Sequence, residues 1–214
     1  MKILYLGTGA ADWVAKDDYE KWLTILQGRP ELIRIFEGGN AEFSAEQLKA
    51  IRSNLEITHT VKQVMHYANS AFSKNRINSI AIMIFRKKKN RIIKFLSNPQ
   101  VSNEIFDYAY EDLYNEYGPF LYFREVKIYA DPKFTYEQGV KIRDAIVHKH
   151  LPVRKVRKFA NPKYSPDVME IIYSDLNNRV PEKIIMSYAK PEFSKEEMLA
   201  ERKRLFEKNL ETIV

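Results

Sequence analysis

The chain has 214 residues, of which 45% are hydrophobic, and it carries a formal net charge of +7 at pH 7. This length and apolar content predict a substantial buried core and exclude a wholly disordered protein. The absence of cysteine excludes disulfides, thiolate catalysis and cysteine-ligated metal sites. Because no apolar run approaches about 18 residues and no secretory signal pattern occurs, we expect no membrane contact and a location in the cytoplasm or in a viral particle made there.

The positive charge is concentrated in two windows. Residues 57–103 contain no Asp or Glu and nine Lys or Arg. Residues 141–163 contain eight Lys or Arg and the single acidic residue Asp144. Such segregation is typical of a basic surface that attracts a polyanion, because mixed signs would cancel the field.

The N-terminal part has the pattern of a strand, a turn, a helix and a second strand. Lys2–Leu6 and Leu32–Phe36 are the predicted strands, with a helix from Asp17 to Gln27 between them. The glycine pair in Gly7-Thr8-Gly9 is interpreted as the turn that ends the first strand, because a dinucleotide-binding loop would need a third glycine.

A helical pair, a β-hairpin, a further helix and a further strand are predicted next. Ser44 and Gln47 form a capping box, and apolar residues then recur at helical spacing to Phe72. Two apolar runs around a basic tip in Ser79–Ser97 predict the hairpin. The pattern then favours a helix at Asn103–Tyr117 and a strand at Phe120–Ala130.

Two more capped helices and a proline-spaced tail complete the chain. Thr135 with Gln138 predicts a helix to His148, and Ser194 with Glu197 predicts a terminal amphipathic helix. We find no internal repeat in the sequence. The predicted fold is therefore α+β, with a single body over residues 1–160 and a C-terminal arm over 161–214 that either folds back or exchanges between subunits.

One three-residue pattern allows an enzymatic alternative. Glu125-Val126-Lys127 on a predicted strand, with Asp112 upstream, resembles the PD-(D/E)xK nucleases. The resemblance implies that Asp112 and Glu125 hold Mg²⁺ and that Lys127 positions the attacking water. Asp112 departs from that family because it falls within a predicted helix, and no cofactor is expected outside this alternative.

The hypothesis that we favour is a non-enzymatic structural protein with a basic surface that contacts nucleic acid backbone. It would act as an oligomeric subunit of a nucleoprotein assembly such as a virion. A third alternative is an assembly subunit whose basic windows bind acidic partner proteins. The candidate binding residues are the cations of the hairpin tip and of the VRKVRKF segment: Arg86, Lys87, Lys88, Lys89, Arg91, Lys94, Arg154, Lys155, Arg157 and Lys158.

Overall fold

A computed structural model describes residues 43–55, 60–114 and 121–211. Within these ranges the chain forms helices and connecting turns, and no strand is present. The prediction of an α+β fold is therefore wrong, and the described part of the chain is all-α. The predicted strands at Lys2–Leu6 and Leu32–Phe36, the helix from Asp17 to Gln27 and the turn at Gly7 to Gly9 lie outside the described residues.

Long and short helices alternate along the chain. The long helices are α1 (Ala45–Leu55), α3 (Lys74–Phe85), α5 (Asn103–Tyr114), α7 (Tyr136–Val147), α9 (Pro166–Asn177) and α11 (Lys195–Glu211). The short helices are α2 (Val61–Val64), α4 (Asn90–Leu96), α6 (Phe123–Tyr129), α8 (Val153–Phe159) and α10 (Glu182–Tyr188).

The segment predicted as a basic β-hairpin is the end of α3, a turn and α4. Ile77, Ile80 and Ile84 are buried at helical spacing, whereas Ile82 and Phe85 on the same helix are exposed. A continuous apolar run does not distinguish a strand from a buried helix. Here the buried side chains recur every three or four residues, as on one face of a helix. The turn places Lys87 in the left-handed region at φ 50°, without the glycine that usually announces a helix end. This missing signal explains why the sequence favoured a hairpin.

The segment predicted as a strand at Phe120–Ala130 contains helix α6. The Glu125 carboxylate accepts a hydrogen bond from the Tyr122 backbone N–H at 2.7 Å and so caps the first turn. Val126 and Tyr129, three residues apart, are buried on one side of the helix. Arg124 and Lys127, also three residues apart, are exposed and form the solvent side of a helix rather than of a strand.

From Ser44 onward, the described part of the chain follows a repeat of about 30 residues, which corrects the interpretation that the sequence has no internal repeat. A Ser or Thr hydroxyl caps the start of each long helix by accepting the backbone N–H three residues later. The six caps are Ser44, Ser73, Ser102, Thr135, Ser165 and Ser194. The reciprocal capping boxes predicted at Ser44, Thr135 and Ser194 are confirmed.

The loops between a short helix and the next long helix also repeat. In four of them an Asn or Asp side chain accepts the backbone N–H two residues later, which closes an Asx-turn. These residues are Asn69, Asn98, Asp131 and Asn161. Each repeat thus consists of a capped long helix, a short helix and a structured loop.

The chain divides into unit 1, Met1–Asp107, and unit 2, Tyr108–Val214. In unit 1, α3 packs against α1, α2 and α4. In unit 2, α7 packs against α6, α8 and α9, and α10 packs against α9 and α11. The predicted domain boundary after residue 160 lies between α8 and α9, inside unit 2, where the segment predicted as an arm continues the repeat.

Candidate nucleic-acid interface

The cations of the first basic window surround the α3–α4 turn in unit 1. Arg86, Lys87 and Lys89 are exposed in the turn, and Lys88 is half-buried. Arg91 and Lys94 are exposed on α4, three residues apart. Residues at this spacing share one face of a helix, so the turn and α4 form a contiguous basic surface.

The cations of the second basic window lie on α8 in unit 2. Arg154, Arg157 and Lys158 are exposed on this helix, and Lys155 is half-buried. The Lys158 ammonium donates a hydrogen bond to Glu182 at 2.8 Å, and this bond lowers the pKa of the Glu182 carboxyl. The same carboxylate lies 3.8 Å from Arg154. Part of the charge of α8 is therefore already paired with α10.

The short helices have a common pattern that the sequence analysis missed. We number the positions of each short helix from 1 to 7 over residues 61–67, 90–96, 123–129, 153–159 and 182–188. Positions 4 and 7 are buried in every case. The second position is an exposed Lys or Arg in every case, and the fifth is an exposed Lys or Arg in α4, α6 and α8. We call the residues at these two positions the outer cations: Lys62, Arg91, Lys94, Arg124, Lys127, Arg154, Arg157 and Lys183.

Four of the outer cations were not among the predicted binding residues. Lys62, Arg124, Lys127 and Lys183 stand outside the two densest clusters of charge, so charge counting did not select them. Alignment of the chain on the Ser or Thr cap that follows each short helix would have found them. Lys62, Arg124 and Lys183 each stand 11 residues before such a cap, and Lys127 stands 8 before one, as do Lys94 and Arg157. Arg91, Lys94, Arg154 and Arg157 are both predicted residues and outer cations.

A basic groove lies in unit 2 between α6, the loop that follows it and α8. It has a volume of about 390 Å³. Arg124, Lys127, Lys133 and Arg157 line the groove together with Ile128, Phe134, Asp131 and Ala160. The Asp131 carboxylate lies 3.2 Å from the Lys133 ammonium. Within residues 121–211, no carboxylate comes within 4.0 Å of Lys127 or Arg157. The groove therefore retains positive charge.

A second basic groove, in unit 1, lies between α2 and the α3–α4 turn. Its volume is about 400 Å³, and Lys62, His66, Lys87 and Lys88 contribute to its lining. Burial lowers the pKa of the His66 imidazole, and the nearby Lys62 and Lys94 lower it further. Among the residues described, none of those that line this groove is acidic. An anion placed here would meet the ammonium groups of Lys62, Lys87 and Lys88.

The residues of the nuclease alternative have other partners. Asp112 on α5 is buried, and the Tyr129 hydroxyl donates to it at 2.6 Å. Arg143 on α7 donates to both of its carboxylate oxygens, at 2.8 and 2.6 Å. Glu125 caps α6, and Lys127 is exposed on that helix. Both oxygens of Asp112 are thus engaged in a buried network, which leaves a metal ion little access to them.

A search of the described residues finds no group of three or more His, Asp or Glu side chains placed to hold a metal ion. Burial raises the pKa of the Tyr129 phenol strongly, and the adjacent Asp112 carboxylate raises it further. The phenol therefore stays protonated and donates a hydrogen bond to the carboxylate. These contacts favour a structural role for Asp112.

The same network recurs in a later repeat. Asp175 on α9 accepts a hydrogen bond from Tyr188 at 2.5 Å and two from Arg202, both at 2.6 Å. Asp175 and Asp112 each stand ten residues after their Ser cap. A contact that recurs at equivalent repeat positions is a feature of the scaffold, which is further reason to separate Asp112 from catalysis.

Comparison of the chain with models of protein families, with curated proteins and with solved structures found no match. In the parts of the chain that the structure describes, no helix is both long and apolar enough to cross a membrane.

Proposed function

We propose that the protein is a non-enzymatic component of a nucleoprotein assembly that binds the phosphate backbone of nucleic acid through its outer cations. The observation that carries this proposal is the recurrence of an exposed Lys or Arg at the second position of every short helix described. Buried positions recur in a repeat because they form the core, but an exposed position needs no particular residue for folding. A charge retained there suits a ligand that runs past successive repeats.

The type of side chain supports phosphate as the ligand. Arg contributes five N–H donors in a planar fork that fits two phosphate oxygens, and Lys contributes a mobile point charge. Neutralising several phosphates releases condensed counterions and supplies affinity without reading the base sequence. This agrees with a surface made of Lys and Arg side chains on successive short helices.

The proposal is tested by measuring fluorescence anisotropy of labelled DNA and RNA oligonucleotides at several salt concentrations. We expect the logarithm of the binding constant to fall linearly with the logarithm of the salt concentration, with a slope of about 0.7 to 0.9 per phosphate contacted. The absence of binding at low salt would overturn the proposal.

A pair of charge-matched variants locates the surface. Arg91→Glu with Arg154→Glu changes two outer cations, whereas Lys49→Glu with Lys203→Glu changes exposed cations of the long helices α1 and α11. Both double variants lower the net charge by the same amount, and each places one change in each unit. We expect the first to lose about tenfold or more in affinity with a shallower salt slope, and the second to lose much less. Equal losses would show that only net charge matters.

An acidic polypeptide separates nucleic acid from an acidic partner protein. Polyglutamate presents carboxylates on a flexible chain, which a guanidinium fork binds but which lacks the regular phosphate spacing of nucleic acid. We expect it to compete only at a large excess. Competition at equal charge concentration would assign the outer cations to acidic proteins instead.

A further inference from the structure

The groove of unit 2 combines cations with an apolar floor, and we propose that it binds a nucleotide of single-stranded nucleic acid, with the base stacked on Phe134. This inference rests on the proposed function and specifies the form of nucleic acid. Arg124, Lys127 and Arg157 supply positive charge, while Ile128, Phe134 and Ala160 supply apolar surface. Single-strand binding sites combine a basic groove with aromatic rings on which bases stack.

Phe134 is half-buried, whereas most of its repeat equivalents are buried. The residue just before the long-helix cap is buried at Phe72, Val101 and Tyr164. Phe134 at the same position is half-buried and lines the groove. Its backbone N–H donates to the Asp131 carbonyl at 3.1 Å, so the loop fixes the backbone from which the ring projects. The Lys133 ammonium lies 4.9 Å from the centroid of this ring, so a base stacks on the face that the ammonium leaves open or displaces it.

An exposed aromatic ring lies beside one of the groove arginines. Tyr122, at the start of α6, is 69% exposed. The Arg124 guanidinium carbon lies 5.2 Å from the centroid of the Tyr122 ring. Arginine that stacks on an aromatic ring keeps donors at its edge, which can bind phosphate. Tyr122 thus provides a stacking surface for a neighbouring base.

The size of the groove favours a single strand over a duplex. A volume of about 390 Å³ accommodates roughly one nucleotide, not a double helix. In a duplex the base faces are stacked on one another, so they cannot reach Phe134. A duplex would therefore contact only the rim cations, through its phosphates.

The test uses three probes of equal length: a single-stranded oligonucleotide, the same backbone with abasic sites, and the duplex. The abasic strand keeps the phosphates but has no base to stack. At one salt concentration we expect the single strand to bind about tenfold or more tightly than the abasic strand or the duplex, which is within the range for stacking of one base. Equal binding of the three probes would overturn the inference and leave the proposed function standing. Absence of binding by all three would overturn both.

Variants of Phe134 connect the effect to the groove. Phe134→Leu removes the aromatic face but keeps apolar volume, and Phe134→Ala removes both. We expect either change to reduce single-strand affinity about tenfold and to leave abasic-strand affinity unchanged. Phe193→Ala is the matched control, since Phe193 is the repeat equivalent of Phe134 and also has a lysine ammonium, that of Lys190, 4.8 Å from its ring centroid. Circular dichroism checks that each variant folds, and unchanged single-strand affinity in a folded Phe134→Leu protein would overturn the inference.

Discussion

Asp112 is held by Arg143 through a two-pronged contact, with Nε 2.8 Å from Oδ2 and Nη2 2.6 Å from Oδ1. The pair joins α5 to α7 across the short helix that separates them in the chain. Tyr129 on that short helix donates to the same carboxylate, so one buried group connects three consecutive helices. Asp175, Tyr188 and Arg202 make the same connection in a later repeat.

Replacing Asp112 with Ala is expected to reduce the free energy of unfolding by about 3 kcal/mol, because Arg143, whose side chain is only 15% exposed, would keep its charge without its partner. The repeat between the two networks shows which residues can replace this one without charge. Ala145, Phe159 and Tyr173 occupy the positions equivalent to Asp112, Tyr129 and Arg143, and all three are buried. The triple variant Asp112→Ala, Tyr129→Phe, Arg143→Tyr copies that set and should recover most of the loss. Urea denaturation measures all of these proteins. A triple variant no more stable than Asp112→Ala would contradict the equivalence of the two sets.

Replacing Arg76 with Met is expected to reduce the free energy of unfolding of unit 1 by about 3 kcal/mol or more, since charged hydrogen bonds contribute about 1.5–3 kcal/mol each. Arg76 is fully buried and donates to the carbonyls of Leu96, Asn98 and Val101 at 2.6–2.8 Å. Its guanidinium carbon also lies 4.0 Å from the centroid of Phe72.

Arg76→Lys should not restore this stability, because an ammonium cannot span three carbonyls in a plane. Thermal unfolding followed by circular dichroism compares the two variants with the unaltered protein. A lysine variant as stable as the unaltered protein would show that charge alone, without the fork geometry, holds the α4–α5 loop.

Replacing Arg179 with Gly is expected to raise the free energy of unfolding by up to about 1 kcal/mol, because a side chain in the left-handed region has a steric cost that glycine lacks. Arg179 has φ 62° and follows the C-cap of α9. The Val180 N–H bonds to the Asp175 carbonyl at 2.9 Å and closes the turn. The matched control Lys49→Gly, within α1, should lower the free energy of unfolding by about 1 kcal/mol. Chemical denaturation measures both, and destabilisation by Arg179→Gly would contradict the prediction.

Nucleic-acid binding by the groove of unit 1 is expected to strengthen as the pH falls from 7.5 to 5.5. The pKa of free His66 is lowered by burial and by Lys62 and Lys94, so the imidazole is neutral near pH 7. A bound phosphate would offset the repulsion and raise the pKa, so that binding takes up a proton. The gain should be about two- to fivefold, comparable to an ion pair worth up to about 1 kcal/mol.

The His66→Gln variant should lose this part of the pH dependence, as measured by anisotropy at both pH values. His148 and His150 in unit 2 remain in both proteins and act as an internal reference. The stability of the free protein should change in the opposite sense. The pKa of His66 in the folded protein lies below its ordinary value of 6.5, so the unfolded state takes up the proton first and the free energy of unfolding falls as the pH drops below 6.5. An equal gain in affinity by both proteins would show that His66 does not titrate on binding.

Local signals in the sequence predicted many helix starts correctly. A Ser or Thr followed three residues later by Gln or Glu indicated the starts of α1, α7 and α11, because these side chains can satisfy the free N–H groups of a first helical turn wherever they occur. Charge segregation also indicated the basic surfaces of α4 and α8. Capping and net charge depend only on residues close in the chain.

The sequence alone determined that the protein is basic, free of cysteine and rich in capped helices. Only the tertiary structure decided that Ser79–Ser97 is helical, because a run of apolar residues buries its side chains equally well in either conformation until neighbouring helices select one face. It also decided that Asp112 belongs to a buried network, since its partners Tyr129 and Arg143 come from helices that packing brings together. The repeat was present in the sequence, but most equivalent positions, apart from the Ser or Thr caps and the outer cations, carry different residue types. Their equivalence becomes visible once the caps and the Asx-turns are seen in the same place of each helix pair.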